Sequence, residues 1–496
     1  MNRIDFSRPR RQSVKGLVLI FLQEGKKAIK SLWPILVPLI LARHSGTDKH
    51  LLFVGTVVAA SLILLVIHSL LYYQAFRFHI DNQHFILRKG YLSRKNLTIP
   101  LDRIQNVNTN QTLLQQLLDV MSVEIETAGT SKTELKIHAL SKAVATQLAM
   151  ELSRYREAKQ PDNPVDEPKP AEEEKLILRL TNRDLLRIGI SQNHLKTAFV
   201  IFIFGVQFYN QVKEYFEEKA EQYAQEALEY ISQSGWAIVT SMVLFFVIIS
   251  FAYSMVQTLI LHYDLRFFKL NQSYRIVSGL LNRKNILIPF RKIQQLNWET
   301  NPIRRLFGIY RVTIPQATGG VDITPSVRAV PGCRYQHIEE LKSDLFGPDA
   351  LTEQPLMHSL PVYFRRTWLY LGWAPAFLFS PLLLIDWRNL FLLIGWILFM
   401  LVYSRLRLKK SYFQINQDQI RVSSGAISHQ FKQMEFHKVQ HLIFTQSVFL
   451  KRLGVASLEI GNASGKIRVP FIDVKIARAV YDYLLYYAEI SDRSWM

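Results

Sequence analysis

The residues best placed to meet a charged ligand are basic and come in pairs. Arg94-Lys95 and Arg283-Lys284 occupy equivalent turns, with Arg103 and Arg291-Lys292 a few residues downstream. Adjacent cations near a membrane surface attract anionic headgroups at about 1 kcal/mol per charge. A blander account fits the same residues, a solvated turn on the side where Lys and Arg collect. His437 and His441 have the spacing of two metal ligands, but a catalytic zinc needs three protein ligands and no third is evident. Gly461-Asn462-Ala463-Ser464-Gly465-Lys466 resembles a phosphate loop only loosely. It has three residues between its glycines, and Ile467 follows the lysine where Ser or Thr is required. A hairpin turn suits it better. The single cysteine, Cys333, permits no intramolecular disulfide and no cysteine metal site. No catalytic constellation emerges, so the expectation is a chain that is not an enzyme, with no cofactor and no metal.

The elements that position these residues occur three times. Gly90, Gly279 and Gly425 each precede an Ile/Val-Gln pair, Ile104-Gln105, Ile293-Gln294 and Val439-Gln440, at one ungapped interval. Asp119, Gly308 and Gly454 follow the glutamines at a second fixed interval. Repetition of this kind decides the architecture. In each copy, short alternating strands are followed by an amphipathic helix: Ser141 to Tyr155, Tyr335 to Phe346, and Val474 to Tyr486. The repeated glutamines read as buried structural amides. The glycines read as turn positions, and Pro100 and Pro289 as edge or first-strand residues.

Apolar segments separate the copies. Leu51 to Tyr73 and Trp236 to Leu261 are long enough to span a bilayer. Ser31 to Ala42, Leu195 to Tyr209, Trp368 to Trp387 and Leu390 to Tyr403 complete three pairs, about six spans in all. The acidic stretch Gln211 to Ser234 reads as an external amphipathic extension. Charged residues are almost absent from the clear spans, which argues against a proton relay. His68 is the exception, and a structural role suits it. Arg77, Arg266, Arg365, Arg366, Arg405, Arg407, Lys409 and Lys410 flank the spans on one side, which the positive-inside rule makes cytoplasmic.

At 496 residues the chain holds several domains. Its net charge of +20 suits nucleic acid or anionic lipid, and the apolar segments favour lipid, with no nucleic acid. The fold class expected is a multi-domain membrane protein, three repeats of a transmembrane α-helix pair followed by an antiparallel β unit with a C-terminal helix. Boundaries follow: a basic arm lying on the membrane and the first pair over 1–75, a β unit over 76–157, an acidic Pro-rich linker over 158–178, the second pair over 179–262, a β unit over 263–346, a linker over 347–362, the third pair over 363–404, and a β unit over 405–491.

The Gly…Arg-Lys-Asn…Ile-Pro…Ile-Gln signature at Gly90 to Gln105 and Gly279 to Gln294, placed after membrane segments, resembles the type-2 bacterial pleckstrin-homology (PH) domain. The third copy departs from it, with His429-Gln430-Phe431 for Arg-Lys-Asn and Glu435 for the proline. The resemblance implies a bent antiparallel sheet capped by a helix. It implies no established activity. The expected function is a non-enzymatic integral protein of the bacterial cell membrane. Its termini and PH-like units would lie in the cytoplasm as protein- or lipid-interaction modules in a membrane complex. The partners expected are anionic lipid and a protein that the sequence does not name. The alternatives from other classes are a transporter or export component and a factor in envelope stress or antimicrobial-peptide resistance.

Overall fold

The computed structural model describes residues 4–41, 48–127, 135–157, 174–215, 236–317, 329–348, 351–384, 387 and 389–490. The chain forms two compact units. One runs to Glu174 and includes Arg275–Leu287; the other holds Lys175–Tyr274, Ile288–Thr318 and the chain from Asp322 onward.

In the first unit the Asp48–Ala75 helix leads directly into β1 (Arg77–Asp81), β2 (His84–Lys89) and β3 (Lys95–Pro100), an antiparallel meander. The tight β1–β2 turn uses Asn82 and Gln83 at positive φ. A short helical turn at Leu101–Arg103 redirects the chain into β4 (Ile104–Thr112), β5 (Val120–Thr127) and β6 (Leu135–Ser141), each antiparallel to the next. The Lys142–Glu157 helix closes the unit over a core of Phe78, Phe85, Leu87, Ile125, Ile137, Leu148 and Leu152. Alternate residues of β2 point inward, and their burial supplies the main stabilisation.

The basic N-terminal arm pairs with the first sheet. Arg10 and Phe78 exchange backbone hydrogen bonds of 2.8 and 2.9 Å, so the arm adds to the open edge of β1. Phe6 is buried in the core. Pairing the edge satisfies backbone groups that would otherwise be exposed.

The same device recurs in the second unit. Part of the expected linker at 158–178 is strand β7 (Lys175–Arg179), which pairs with β8 (Arg266–Leu270). The residues 158–173 of that linker lie outside the described residues. Strands β9 (Ser273–Ser278) and β10 (Asn282–Pro289) follow, then β11 (Leu296–Thr300), β12 (Tyr310–Thr313) and β13 (Ala329–Cys333). The expected 347–362 linker likewise ends in a strand, β14 (Met357–His358), paired with β15 (Tyr412–Ile415). After β15 come β16 (Gln419–Ser424), β17 (His429–Glu435), β18 (His441–Thr445), β19 (Val455–Asn462) and β20 (Gly465–Asp473). The Val474–Ile490 helix closes the third core around Phe413, Phe436, Leu458, Ile460 and Leu484.

The repeats are not separate beads. In the first unit Asn282–Asn285 of β10 pair antiparallel with Thr109–Thr112 of β4. In the second, Leu296–Thr300 of β11 pair with His429–Gln433 of β17, inside a sheet ordered β13-β12-β11-β17-β16-β15-β14. Strand 3 of one repeat thus completes the sheet begun by strand 4 of the repeat before it.

Among the described residues, three helical stretches are long and apolar enough to cross a membrane: Gly55–Ala75, Thr240–His262 and Asn389–Lys409. The other expected spans differ. Ser31 to Leu41 is the end of one 26-residue helix, Gly16–Leu41, whose earlier turns carry Glu24, Lys26, Lys27 and Lys30. The His194–Tyr215 helix includes the shorter apolar stretch Thr197–Phe208. The Trp368 to Trp387 segment is broken into helical pieces at Val362–Trp368, Leu369–Trp373, Ala374–Leu378 and Ser380–Leu384. Pro375 and Pro381 lie in it, and proline cannot donate the backbone bond that would carry the helix on. The acidic stretch expected over 211–234 lies outside the described residues beyond Tyr215.

Candidate functional site

The turn that opens strand 3 is built the same way in each repeat. Gly90, Gly279 and Gly425 have φ of +87°, +110° and +113°. A Cβ on any of them would collide with the carbonyl oxygen of Ser93, Asn282 or Ser428. In two repeats the turn is tied to the preceding membrane helix or its end. His68 Nδ1 lies 2.9 Å from the Tyr91 hydroxyl, and Lys410 Nζ donates to the carbonyls of Ala426 and Ile427 at 2.5 and 3.0 Å. Arg94 and Lys95, exposed in this turn, therefore stand at the membrane end of the first sheet.

The remaining predicted residues scatter. Arg103, exposed, and the pair Arg291-Lys292 sit in the helical turns after β3 and β10. They lie at the far end of the strand from the hairpin tip, about 20 Å away at 3.3 Å per residue. They do not join Arg94-Lys95 or Arg283-Lys284 in one patch. Lys292 is buried, with 6% of its surface exposed. Arg283 and Lys284 are engaged in the β4–β10 pair, facing Gln111 and Asn110. Burial pushes the Lys284 ammonium below the usual lysine range. Of the repeated glutamines, Gln294 is buried as expected, while Gln440 is exposed. Pro100 ends β3, an edge strand among the described residues as expected, while Pro289 ends β10, which lies inside its sheet. The Gly461 to Lys466 stretch is a hairpin turn, with Asn462 Oδ1 accepting from the Ser464 backbone N–H at 2.9 Å. His441 lies on β18, its ring over Gly461, where a Cβ would collide with it. Among the described residues there is no cluster of three or more metal-ligating side chains.

A more concentrated basic site lies in the third repeat. A cavity of about 580 Å³ is lined by Arg366, Arg407, Lys432, Lys466 and Arg468, with no acidic side chain in its wall. Arg366 follows the chain's entry into the broken helical segment. Arg407 is in the last turn of the Asn389–Lys409 helix. Lys432 comes from β17, and Lys466 and Arg468 from β20. The rings of Tyr363 and Phe471 stack at 5.1 Å. The Arg407 guanidinium sits 4.9 Å from the Tyr363 centroid, and that of Arg366 sits 5.5 Å from Phe471. Such contacts hold a guanidinium in place without neutralising it.

Phe471 has φ +53°, an outlier for a bulky side chain. Its backbone N–H donates to Ser457 Oγ at 3.0 Å, and its carbonyl accepts from the Leu360 N–H at 2.7 Å. Strain of this kind persists where surrounding bonds enforce it and gathers at functional sites. Lys466 is partly neutralised by Glu459 at 2.5 Å. Burial lowers the affinity of Lys432 for its proton, and its Nζ donates to the Lys466 carbonyl at 3.1 Å. The sequence offered Arg366 and Arg407 only as membrane flanks and Lys466 only in a hairpin turn, and gave no sign of Lys432 or Arg468, because the five come from four separate elements.

A bent antiparallel sheet with a closing helix, repeated after apolar helices, defines a membrane protein built from PH-like domains. The chain belongs to the bacterial PH domain family, whose model matches it three times, at residues 35–156, 212–345 and 369–488. It is also similar to the UPF0699 transmembrane protein YdbT of Bacillus subtilis (strain 168). The two are 23% identical over 489 residues, which cover 96% of this chain and 98% of the relative.

Proposed function

We propose that this chain is a non-enzymatic multi-pass protein of the bacterial cytoplasmic membrane, crossing as three helix pairs. Its termini and three PH-like domains lie in the cytoplasm, where they act as interaction modules at the inner leaflet. The ligand class is an anionic lipid headgroup. The observation that carries this reading is the third-repeat cavity. Five basic side chains line it, with Arg366 in the Val362–Trp368 helix and Arg407 in the last turn of the Asn389–Lys409 helix, a candidate membrane span. A phosphate there would meet fixed guanidinium donors, which bind phosphate in forked pairs.

The test is retention of labelled phosphatidylglycerol against phosphatidylcholine by the full-length protein in mixed micelles, with inorganic phosphate as competitor. Preferential retention of phosphatidylglycerol is expected. Arg366→Gln should weaken it about fivefold, the equivalent of about 1 kcal/mol per charge. Displacement by inorganic phosphate at equal concentration would point to a soluble phosphate ligand instead. Equal retention of both lipids, unchanged by the substitution, would sink the proposal. Protease accessibility of the third domain in right-side-out and inverted vesicles tests its side. Cleavage only in inverted vesicles is expected.

A further inference from the structure

The two joints between repeats share one register. In the first, the residue four past the turn glycine, Arg283, faces the residue six past the repeat's glutamine, Gln111. In the second, His429, four past Gly425, faces Thr300, six past Gln294. The pattern leaves two strands over. Among the described residues, strand β3 has β2 on one side and no strand on the other, and β18 has only β19. These are the halves of a third joint of the same kind.

We propose that copies of this chain join head to tail, with β18 of one copy adding antiparallel to β3 of the next. The shared register places Arg94 opposite Gln446 and Leu97 opposite Ile443. This surface is separate from the basic cavity's ligand, and the proposal stands without the lipid reading.

Three observations support it. First, the open edge is prepared like the closed ones. Gln111 Nε2 donates to the Val120 carbonyl at 3.0 Å, and Thr300 Oγ1 donates to the Ile309 carbonyl at 3.3 Å. Just past β18, whose outer edge is open among the described residues, Gln446 Nε2 donates to the Val455 carbonyl at 3.1 Å, the matching bond. Second, the lysine on β3 is no barrier. Edge lysines often block pairing, but Lys95 corresponds to Lys284, which lies inside the first joint facing Asn110. In the proposed joint Lys95 faces Thr445, another neutral polar residue. Third, the apolar content fits. Ile443 is 42% exposed on β18, and Leu97 is half-buried on β3. Cross-strand apolar pairs of this type stabilise antiparallel sheets.

A clamp beside the first joint extends the match. Gln116 Nε2 donates to the Leu280 carbonyl at 3.0 Å. The corresponding residues are Lys451 and Tyr91, and a lysine donates to a carbonyl as readily. Because the two edges differ, the contact is heterologous. It leaves an open edge at each end until a ring closes, or else builds a run of copies.

The experiment is oxidative cross-linking of full-length protein in native membranes. One version carries Asn96→Cys and another Phe444→Cys, residues that the register sets opposite each other. The two are co-expressed. A dimer formed only by the mixture is expected, and a ladder when one chain carries both substitutions. Pairing Asn96→Cys with His441→Cys, out of register, should lose the product. As a measurement free of new cysteines, Ile443→Lys on the exposed edge should reduce the oligomer mass of the purified protein. No cross-link in register, or equal cross-linking out of register, would overturn the proposal. So would capture of Phe444→Cys by a different membrane protein instead of by Asn96→Cys.

Discussion

The indole of Trp298 lies against the ring of Phe431, with 5.2 Å between centroids and 11° between planes. The two face each other across the β11–β17 pair, so one stacked contact holds two repeats together. Lys342 and Arg421 approach the indole at 5.7 and 5.6 Å. Trp298 is 4% exposed. Trp298→Ala should cost about 3–5 kcal/mol, the usual range for emptying a buried aromatic site. A double-mutant cycle with Phe431→Ala should give about 0.5–1.5 kcal/mol of coupling. Urea unfolding in detergent measures both. Additive losses would show that the rings do not act together.

The turn glycines predict a contrast within one repeat. Gly279→Ala must hold an alanine at φ +110° against the Asn282 carbonyl, at about 1–3 kcal/mol. Gly308 has φ +64° with nothing near its missing Cβ, and the first repeat places Asp119 at the same point with φ +53°. Gly308→Asp should leave the urea midpoint nearly unchanged, while Gly279→Ala lowers it.

His429 makes the second joint sensitive to acid. Burial first, then the charges of Lys410 and Arg305, push its ring down to about 4. The folded protein keeps the ring neutral, while the unfolded chain protonates it below about 6.5. Its contribution to stability is therefore full above about pH 6.5 and is lost as the pH falls toward 4. His429→Gln should flatten the stability profile between those values. An unchanged profile would assign the acid sensitivity to other groups.

Cys333 is fully buried, its Sγ directed at the Val330 carbonyl at 3.6 Å, and burial pushes the thiol up to about 12. Only a thiolate reacts readily. A maleimide should therefore leave the native protein unlabelled on either face of the membrane and modify it after denaturation. Labelling of the native protein would mean that the β13 edge opens.

Much of the fold was legible in the sequence, because the fixed interval between turn glycine, glutamine and left-handed corner repeats without gaps. Side-chain alternation marks a strand and apolar length marks a span; the span expected over Leu51 to Tyr73 overlaps the candidate span Gly55–Ala75. Neither signal names a strand's partner. Thr112 and Asn282 are far apart in the chain, and nothing local tells Asn282 to pair there rather than within its own repeat. Arg283-Lys284 therefore looked like a twin of the solvated Arg94-Lys95. Strands β7 and β14 were hidden for the same reason, since each is a short edge completed by residues beyond an intervening candidate membrane span. The basic cavity could not be seen at all, because Arg366, Arg407, Lys432 and Arg468 share no interval.

The joints also set an order of events while the chain is being made. When β4 leaves the ribosome, its outer edge has no partner until the next candidate span has been made and β10 appears. β7 likewise waits for β8, and β11 for β17. Each repeat is therefore finished by the one after it, and a chain stopped between repeats carries a raw sheet edge, which is a template for aggregation. The last strand to wait is β18, whose edge opposite β19 meets no other strand among the described residues.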